Sequence, residues 1–219
     1  MIEYGRVEER VDRVIVMANG PSLLEADPYL LAHSSAPIIA VNGAVRAPFP
    51  IHAFFTLDPD RIVRPLMRDK PGGVRNWYAA VPSDYGSPAA RMLDHREPPE
   101  AGMIWLRRIS GGAYPGGWVP GLSEDPECIH TGNSAWGALQ LAVHMGAKRI
   151  LLLGVDGTHS GYAFGPGAPR DLLLMRWIFG TAVMQLHKMG ILVKTGNPRS
   201  RVDAFERVEA NEGLKWISR

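Results

Sequence analysis

The stretch Arg13-Val14-Ile15-Val16-Met17-Ala18, followed at once by Asn19-Gly20-Pro21-Ser22, decides the fold. Five apolar positions in a row after Arg13, three of them β-branched, read as a strand buried on both faces, as in a parallel sheet. The Asn-Gly-Pro-Ser cluster stops that strand. Residues 23–33 then read as a short helix, with Ser22 as N-cap and Glu25 and Asp27 in its first turn.

The same grammar recurs outward from this point. Residues 37–41 form a second expected strand that ends on Asn42-Gly43, and residues 52–57 a third that ends on Asp58-Pro59-Asp60. Thr131-Gly132-Asn133-Ser134 opens a helix whose apolar positions Ala135, Ala138, Leu139, Ala142 and Val143 keep helical spacing, with Gly146 as its stop. Residues 149–155 read as a central strand ending on Asp156-Gly157, residues 171–188 as one long helix closed by Gly190, and residues 191–194 as a last strand before Thr195-Gly196-Asn197-Pro198. One more helix fits the C-terminal stretch. Strands that alternate with helices predict a Rossmann-like α/β fold, a mostly parallel sheet with helices on both faces. In such sheets ligands bind in the crevice at the carboxyl ends of the strands, and the polar clusters fall at those ends.

Between residues 61 and 121 the pattern weakens. Residues 76–81 and 103–109 have the make-up of strands, but the region is rich in Pro and Gly and reads as a loop-rich insertion or lid within a single domain spanning 1–219. Its Tyr85, Tyr114 and Trp118 suit either stacking on a base or sugar, or plain packing.

The composition narrows the classes. The chain has 219 residues, 46% hydrophobic and 21% charged, an ordinary globular balance with enough apolar mass for a sizeable core. A formal charge of +2 is far from the Lys/Arg density of a dedicated nucleic-acid binder, and no apolar run is long enough to span a bilayer. Neither nucleic acid nor membrane is therefore expected as a partner. A single cysteine, Cys128, excludes an internal disulfide and suits a reducing compartment. With no secretory signal at the start, the expected location is the cytoplasm. The oligomeric state stays open, a homo-oligomer included.

Asn19, Gly20, Pro21 and Ser22 have the chemistry of a phosphate-binding turn. Glycine admits close backbone approach, and amides opening the next helix face an anion. A tight turn with a serine cap explains the same residues. Asp58 and Asp60, in an Asp-x-Asp arrangement, have the donor set to hold Mg²⁺ or Mn²⁺ against a diphosphate, with Asp156 as a third ligand from a neighbouring strand end. An Asp-Pro turn is the plain alternative. His144 sits among apolar neighbours and reads as structural. His159, in a Gly-rich loop after Asp156, is placed where an exposed catalytic side chain fits.

At residues 14–23, VIVMANGPSL, the chain resembles the opening motif of bacterial sialyltransferases that use CMP-sialic acid, and that of the related archaeal 6-hydroxymethylpterin diphosphokinase-like proteins. Residues 131–164, TGNSAWGALQLAVHMGAKRILLLGVDGTHSGYAF, are similar to the sialyltransferases' Thr/Ser-Gly turn, helix, strand, Gly-hydrophobic-Asp and Tyr-Ala-Phe stretch, in the same order. AVNGAV, residues 40–45, is similar to a third motif ending in a ligand-binding Asn. Together these stretches cover 50 of the 219 residues.

The resemblance implies a nucleotide- or nucleotide-sugar-dependent transferase. By it, Asn19, Gly20 and Ser22 hold phosphate and ribose, and Asn42 lies near the nucleotide or donor. Thr131, Gly132 and Asn133, with Ser134, line the other side of the cleft, and Asp156 and Gly157 sit at its base. Tyr162 assists the departing phosphate. The sialyltransferases take their general base from a histidine beyond the Tyr-Ala-Phe motif. Residues 165–185 hold no histidine here, and His159 precedes the motif. His159 then acts as a base from a different direction. Glycosyl transfer to an unidentified acceptor is the leading expectation. An ATP- and Mg²⁺-dependent diphosphokinase and a non-catalytic nucleotide-binding or sensing module are the alternatives.

Overall fold

A computed structural model describes residues 4–59, 66, 73–83, 102–111, 117–157, 161–164 and 173–219. Among these, nine strands form one sheet: β1 (Arg13–Met17), β2 (Ile38–Val41), β3 (Ala53–Thr56), β4 (Asn76–Val81), β5 (Met103–Ile109), β6 (Cys128–His130), β7 (Arg149–Leu153), β8 (Leu192–Thr195) and β9 (Glu206–Arg207). Their order is β6-β5-β4-β3-β2-β1-β7-β8-β9 and every pairing is parallel. The Rossmann-like α/β reading of the sequence therefore holds. The stretch read as an insertion supplies β4 and β5 to the body of the sheet.

Strand alternation explains the two-sided core. Val14 and Val16 face one side, with Ile39, Val41, Ala53 and Phe55. Ile15 and Met17 face the other, with Ile38, Ala40 and Phe54. The first face is covered by α2 (Ser134–His144), α3 (Leu173–Gly180) and α4 (Val183–Lys188). The second is covered by two 3₁₀ turns (Pro21–Glu25 and Asn42–Arg46), by α1 (Pro28–Ala32) and by α5 (Ala210–Ile217). Every residue of α2 is buried, because the crossover from β6 to β7 lays this helix over β1, β2 and β3. Its one internal amide, Gln140, is satisfied: Oε1 accepts from the Ser123 and His130 amides, and Nε2 donates to the His130 carbonyl.

Two expected helices divide. The helix expected over 23–33 is a 3₁₀ turn followed by α1, because Pro28 lacks an amide and is accepted only at the start of a new helix. Asp27 caps that helix through the Tyr29 amide, 2.8 Å, and Ser22 caps nothing. The helix expected over 171–188 breaks between α3 and α4; residues 171 and 172 lie outside the described residues. At the break the Thr181 hydroxyl donates to the Ile178 carbonyl, 2.6 Å, and accepts from the Gly121 amide, 2.9 Å. A loop 60 residues earlier in the chain is thus anchored where the helix would continue.

Candidate functional site

The strand order reverses at β1 and β7: the chain runs outward from β1 through β6 on one side and from β7 through β9 on the other. Loops leaving such a pair usually diverge and open a crevice. Here they are joined. The Ala18 amide donates to the Leu153 carbonyl, 2.8 Å, and the Gly20 amide to the Gly154 carbonyl, 2.8 Å. Asp156 is buried at the centre. Its Oδ2 accepts from the Ser22 amide at 2.9 Å, and its Oδ1 accepts from the Ser22 hydroxyl and from Asn197 Nδ2, the latter at 2.8 Å. The Asn197 Oδ1 in turn accepts from the Arg199 amide.

One carboxylate therefore ties together the loops after β1, β7 and β8. The Ser22 amide, expected to face a phosphate, faces Asp156. Both carboxylate oxygens are engaged by protein donors, so Asp156 does not fit as a third metal ligand. Glycine at 20 has a direct cause: a Cβ there would lie 2.5 Å from the Gly154 carbonyl oxygen and 2.5 Å from Asp156 Oδ2. Gly154 has φ 63, and a Cβ on it would meet the Ala18 carbonyl oxygen at 2.2 Å.

Asn19 faces the other way and holds the Tyr-Ala-Phe segment. Its Nδ2 donates to the Phe164 carbonyl, 2.7 Å, its Oδ1 accepts from the Phe164 amide, 2.9 Å, and its carbonyl accepts from the Ala163 amide, 2.8 Å. Tyr162 stands on this segment with its side chain exposed. A Cβ on Gly43 would lie 2.8 Å from Asn19 Nδ2, so the loop after β2 closes against the same asparagine. Asn42 has φ 51, a left-handed conformation that asparagine adopts more readily than other residues with a side chain. Its Oδ1 is buried with no hydrogen-bond partner among the described residues.

The turn before α2 crosses the carboxyl edge from β6 back to β3. At one end the Thr131 and Ser110 hydroxyls are 2.8 Å apart. At the other, the Leu57 amide donates to Ser134 Oγ, 3.3 Å. Asn133 caps α2, its Oδ1 accepting from the Trp136 amide at 2.8 Å, while its Nδ2 is buried with no hydrogen-bond partner among the described residues. Gly132 is required by the Trp136 ring, which a Cβ would meet at 2.4 Å. Arg108 reaches from β5 to the Leu57 carbonyl, 2.8 Å.

The structure thus brings Asn19, Gly20, Ser22 and Asp156 into one cluster with residues 162–164. Thr131 bonds on the β5–β6 side, away from that cluster. Asp58 is exposed at the end of β3; Asp60, His159, Tyr85 and Tyr114 lie outside the described residues. Among the described residues no three His, Cys, Asp or Glu side chains form a group able to hold a metal ion, and no helix is long and apolar enough to cross a membrane. Gly157 packs beside Arg201 and Met175. Sequence reasoning weighed Arg108 as a phosphate-binding arginine, whereas it bonds the Leu57 carbonyl; it missed Asn197 and Ser110, and the place of Asn197 in the polar cluster that ends β8 was the one available signal. His144 is structural as expected, its Nε2 donating to the Cys128 carbonyl at 3.0 Å, and burial pushes its pKa below the ordinary value.

The architecture is that of known glycosyltransferases. The sialyltransferase CST-II, solved in complex with a trisaccharide acceptor and CMP, superposes with a TM-score of 0.52 at 15% identity, over 91% of this chain and 87% of that one. The monofunctional α-2,3-sialyltransferase Cst-I from Campylobacter jejuni gives 0.55 at 13% identity, over 96% and 86%. The MAf glycosyltransferase from Magnetospirillum magneticum AMB-1 gives 0.59 at 11% identity; this chain is covered over 97% but spans only 37% of that protein. No family model matches the chain, and no curated protein does. At these identities the likeness establishes the sialyltransferase-like fold.

Proposed function

We propose that this protein is a glycosyltransferase that draws its sugar from a nucleotide-activated donor bound along the carboxyl edge, between the loops after β1 and β2 and the turn before α2. The observation that carries the reading is a pair of buried, unpartnered groups on that edge, the acceptor Asn42 Oδ1 and the donor Asn133 Nδ2. An unmade buried hydrogen bond costs about 1–3 kcal/mol, and a ligand offering one donor and one acceptor removes both costs. The shared fold supports the reading, since CST-II was solved with CMP.

In this arrangement Asn42, Asn133 and Thr131 contact the donor, and the first amides of α2 favour its phosphate charge. Asn19, Gly20, Pro21 and Ser22 form the wall, with Asp156 and Gly157 behind it, and Asp156 is a positioning residue rather than a group that meets substrate. In this reading Tyr162, exposed on its segment, donates to the departing phosphate, and His159 is the candidate base. Asp58 with Asp60 is the remaining place for Mg²⁺ or Mn²⁺.

The test is a thermal-shift screen against CMP, CDP, UDP, GDP, ADP and ATP, each with Mg²⁺ and with EDTA. A ligand at a hundred times its dissociation constant adds about 2.7 kcal/mol. For a chain of this length that raises the midpoint by roughly 5–10 °C. Stabilisation by a pyrimidine nucleotide, followed by turnover of its sugar conjugate, is the expected result. Stabilisation by ATP with Mg²⁺ alone would favour the diphosphokinase, binding without turnover a sensing module, and no shift at all would refute the nucleotide site.

A further inference from the structure

Trp136 is wholly buried in the first turn of α2, and its indole Nε1 has no hydrogen-bond partner among the described residues. An indole nitrogen only donates, and a buried tryptophan usually finds an acceptor for it. The ring's position shows where this donor lies. A Cβ on Gly132 would stand 2.4 Å from Trp136 Cδ1, the carbon bonded to Nε1, and 3.0 Å from Cγ. The five-membered edge of the indole therefore borders the turn before α2. The ring also meets Phe179 of α3 edge-on, with centroids 5.6 Å apart.

The turn itself is already committed elsewhere. The Thr131 amide donates to the Ile109 carbonyl, 2.8 Å, and the Thr131 and Ser110 hydroxyls bond each other. Ser134 Oγ accepts from the Leu57 amide, and Asn133 Oδ1 from the Trp136 amide. What the turn still offers is further donors. Asn133 Nδ2 is buried with no partner among the described residues. The Ser134 and Ala135 amides, as the first of an eleven-residue helix, have no acceptor within it. The positive end of the helix dipole lies at the same place. Donors gathered in this way match a ligand group that only accepts and carries negative charge. Gly132 and Asn133 are the half-buried part of the turn, between the buried Thr131 and Ser134, so the turn meets solvent there.

We propose that Trp136 is a ligand-contacting residue, its indole N–H donating to an oxyanion, a phosphate or a carboxylate, held at the N-terminus of α2. The N–H is closed to water in the free protein, so the half-buried 132–133 segment shifts as the oxygen enters. Asn133 Nδ2 then donates to the same group. Assigning the oxyanion to the sugar donor rests on the function proposed above; the site itself does not.

The experiment is a titration of uniformly ¹⁵N-labelled protein, in which six tryptophans give indole signals. The Trp136 signal is assigned by its loss in Trp136→Phe and, in the parent protein, by its nuclear Overhauser contact with the Phe179 ring, which serves even where that variant fails to fold. The probes are sodium orthophosphate and sodium acetate, each up to about 50 mM, beyond the millimolar range. Sodium chloride at equal ionic strength is the control. The expected result is a saturable downfield movement of the Trp136 indole proton with one or both anions and none with chloride; the anion that moves it tells phosphate from carboxylate. In Trp136→Phe, with binding read at the Gly132 amide, affinity should fall about tenfold, as for one lost charge-assisted hydrogen bond. A Trp136 signal unmoved by both anions, a movement shared by chloride, or an unchanged affinity in Trp136→Phe overturns the site. Nucleotide stabilisation with an unmoved Trp136 signal removes this site and leaves the donor reading standing. Movement with orthophosphate or acetate but no nucleotide stabilisation keeps the site and removes the nucleotide donor.

Discussion

Gly20→Ala separates two explanations of the Asn-Gly-Pro-Ser turn. If glycine is there only to admit a ligand's phosphate, alanine should stabilise the free protein. Gly20 has φ −70 and ψ 153, a conformation alanine adopts freely, and losing glycine's freedom in the unfolded chain gains about 0.4–1 kcal/mol. The packing predicts the opposite sign. The new methyl group would stand 2.5 Å from both the Gly154 carbonyl oxygen and Asp156 Oδ2. Neither can retreat without lengthening the Gly20-to-Gly154 bond or the Ser22-to-Asp156 bond. Overpacking costs about 1–3 kcal/mol and a broken buried hydrogen bond about 1–3 more. After the entropic gain, a net loss of roughly 2–4 kcal/mol is expected from these terms. Urea unfolding of the ligand-free protein should show it as a lower midpoint at unchanged slope. A variant as stable as the parent, or more stable, would refute the tied-loop account.

Asn42→Gly should act in the reverse sense. It removes an unpartnered buried oxygen and relieves a positive φ, so the free protein should be no less stable, while the nucleotide-induced rise in melting midpoint should shrink; a full ligand shift in the variant would take Asn42 out of the site. His144 should make stability pH-dependent. Burial, the largest cause, lowers its folded pKa, opposed by its bond to the Cys128 carbonyl and by Asp125. The unfolded chain then binds the proton more readily, so the contribution is complete above the ordinary histidine value of about 6.5 and is lost as pH falls through the lowered folded value. Unfolding midpoints of the parent and of His144→Gln should diverge at neutral pH and converge in acid; a constant difference would count against it. Burial, followed by Asp125, pushes the Cys128 thiol up to about 11. Iodoacetamide near pH 8 should therefore label it in urea and leave it almost untouched in the native protein, and equal rates in both states would contradict that.

The strands around β1 were legible because each is a run of apolar or β-branched residues ended by a polar cluster, and burial on both faces selects for that pattern. β9, two residues long, carries no periodicity that a sequence could display. The breaks at Pro28 and Thr181 depend on different scales of information. Pro28 is visible in the sequence and was outweighed by the apolar spacing around it. At Thr181 the break coincides with a bond from the Gly121 amide, 60 residues away, which no local pattern displays. The site divides in the same way. Asn19, Ser22, Asn42 and Asp156 were singled out as polar residues after strands, and Asn133 in the turn that opens a helix, but which of them face each other depends on strand order. Placing β7 beside β1 turns Ser22 toward Asp156, and placing β8 beside β7 adds Asn197.

That strand order also bears on where an anion can bind. A phosphate on the Ser22 amide would have to displace the Asp156 carboxylate or sit beside it, and two negative groups at hydrogen-bond distance repel strongly in a buried setting. On the other side of β1, Asn42 Oδ1 and Asn133 Nδ2 have no hydrogen-bond partner among the described residues, and the positive end of the α2 dipole lies at Asn133. Under the proposed function the buried carboxylate therefore fixes the wall and steers the nucleotide's phosphate toward β2 and α2.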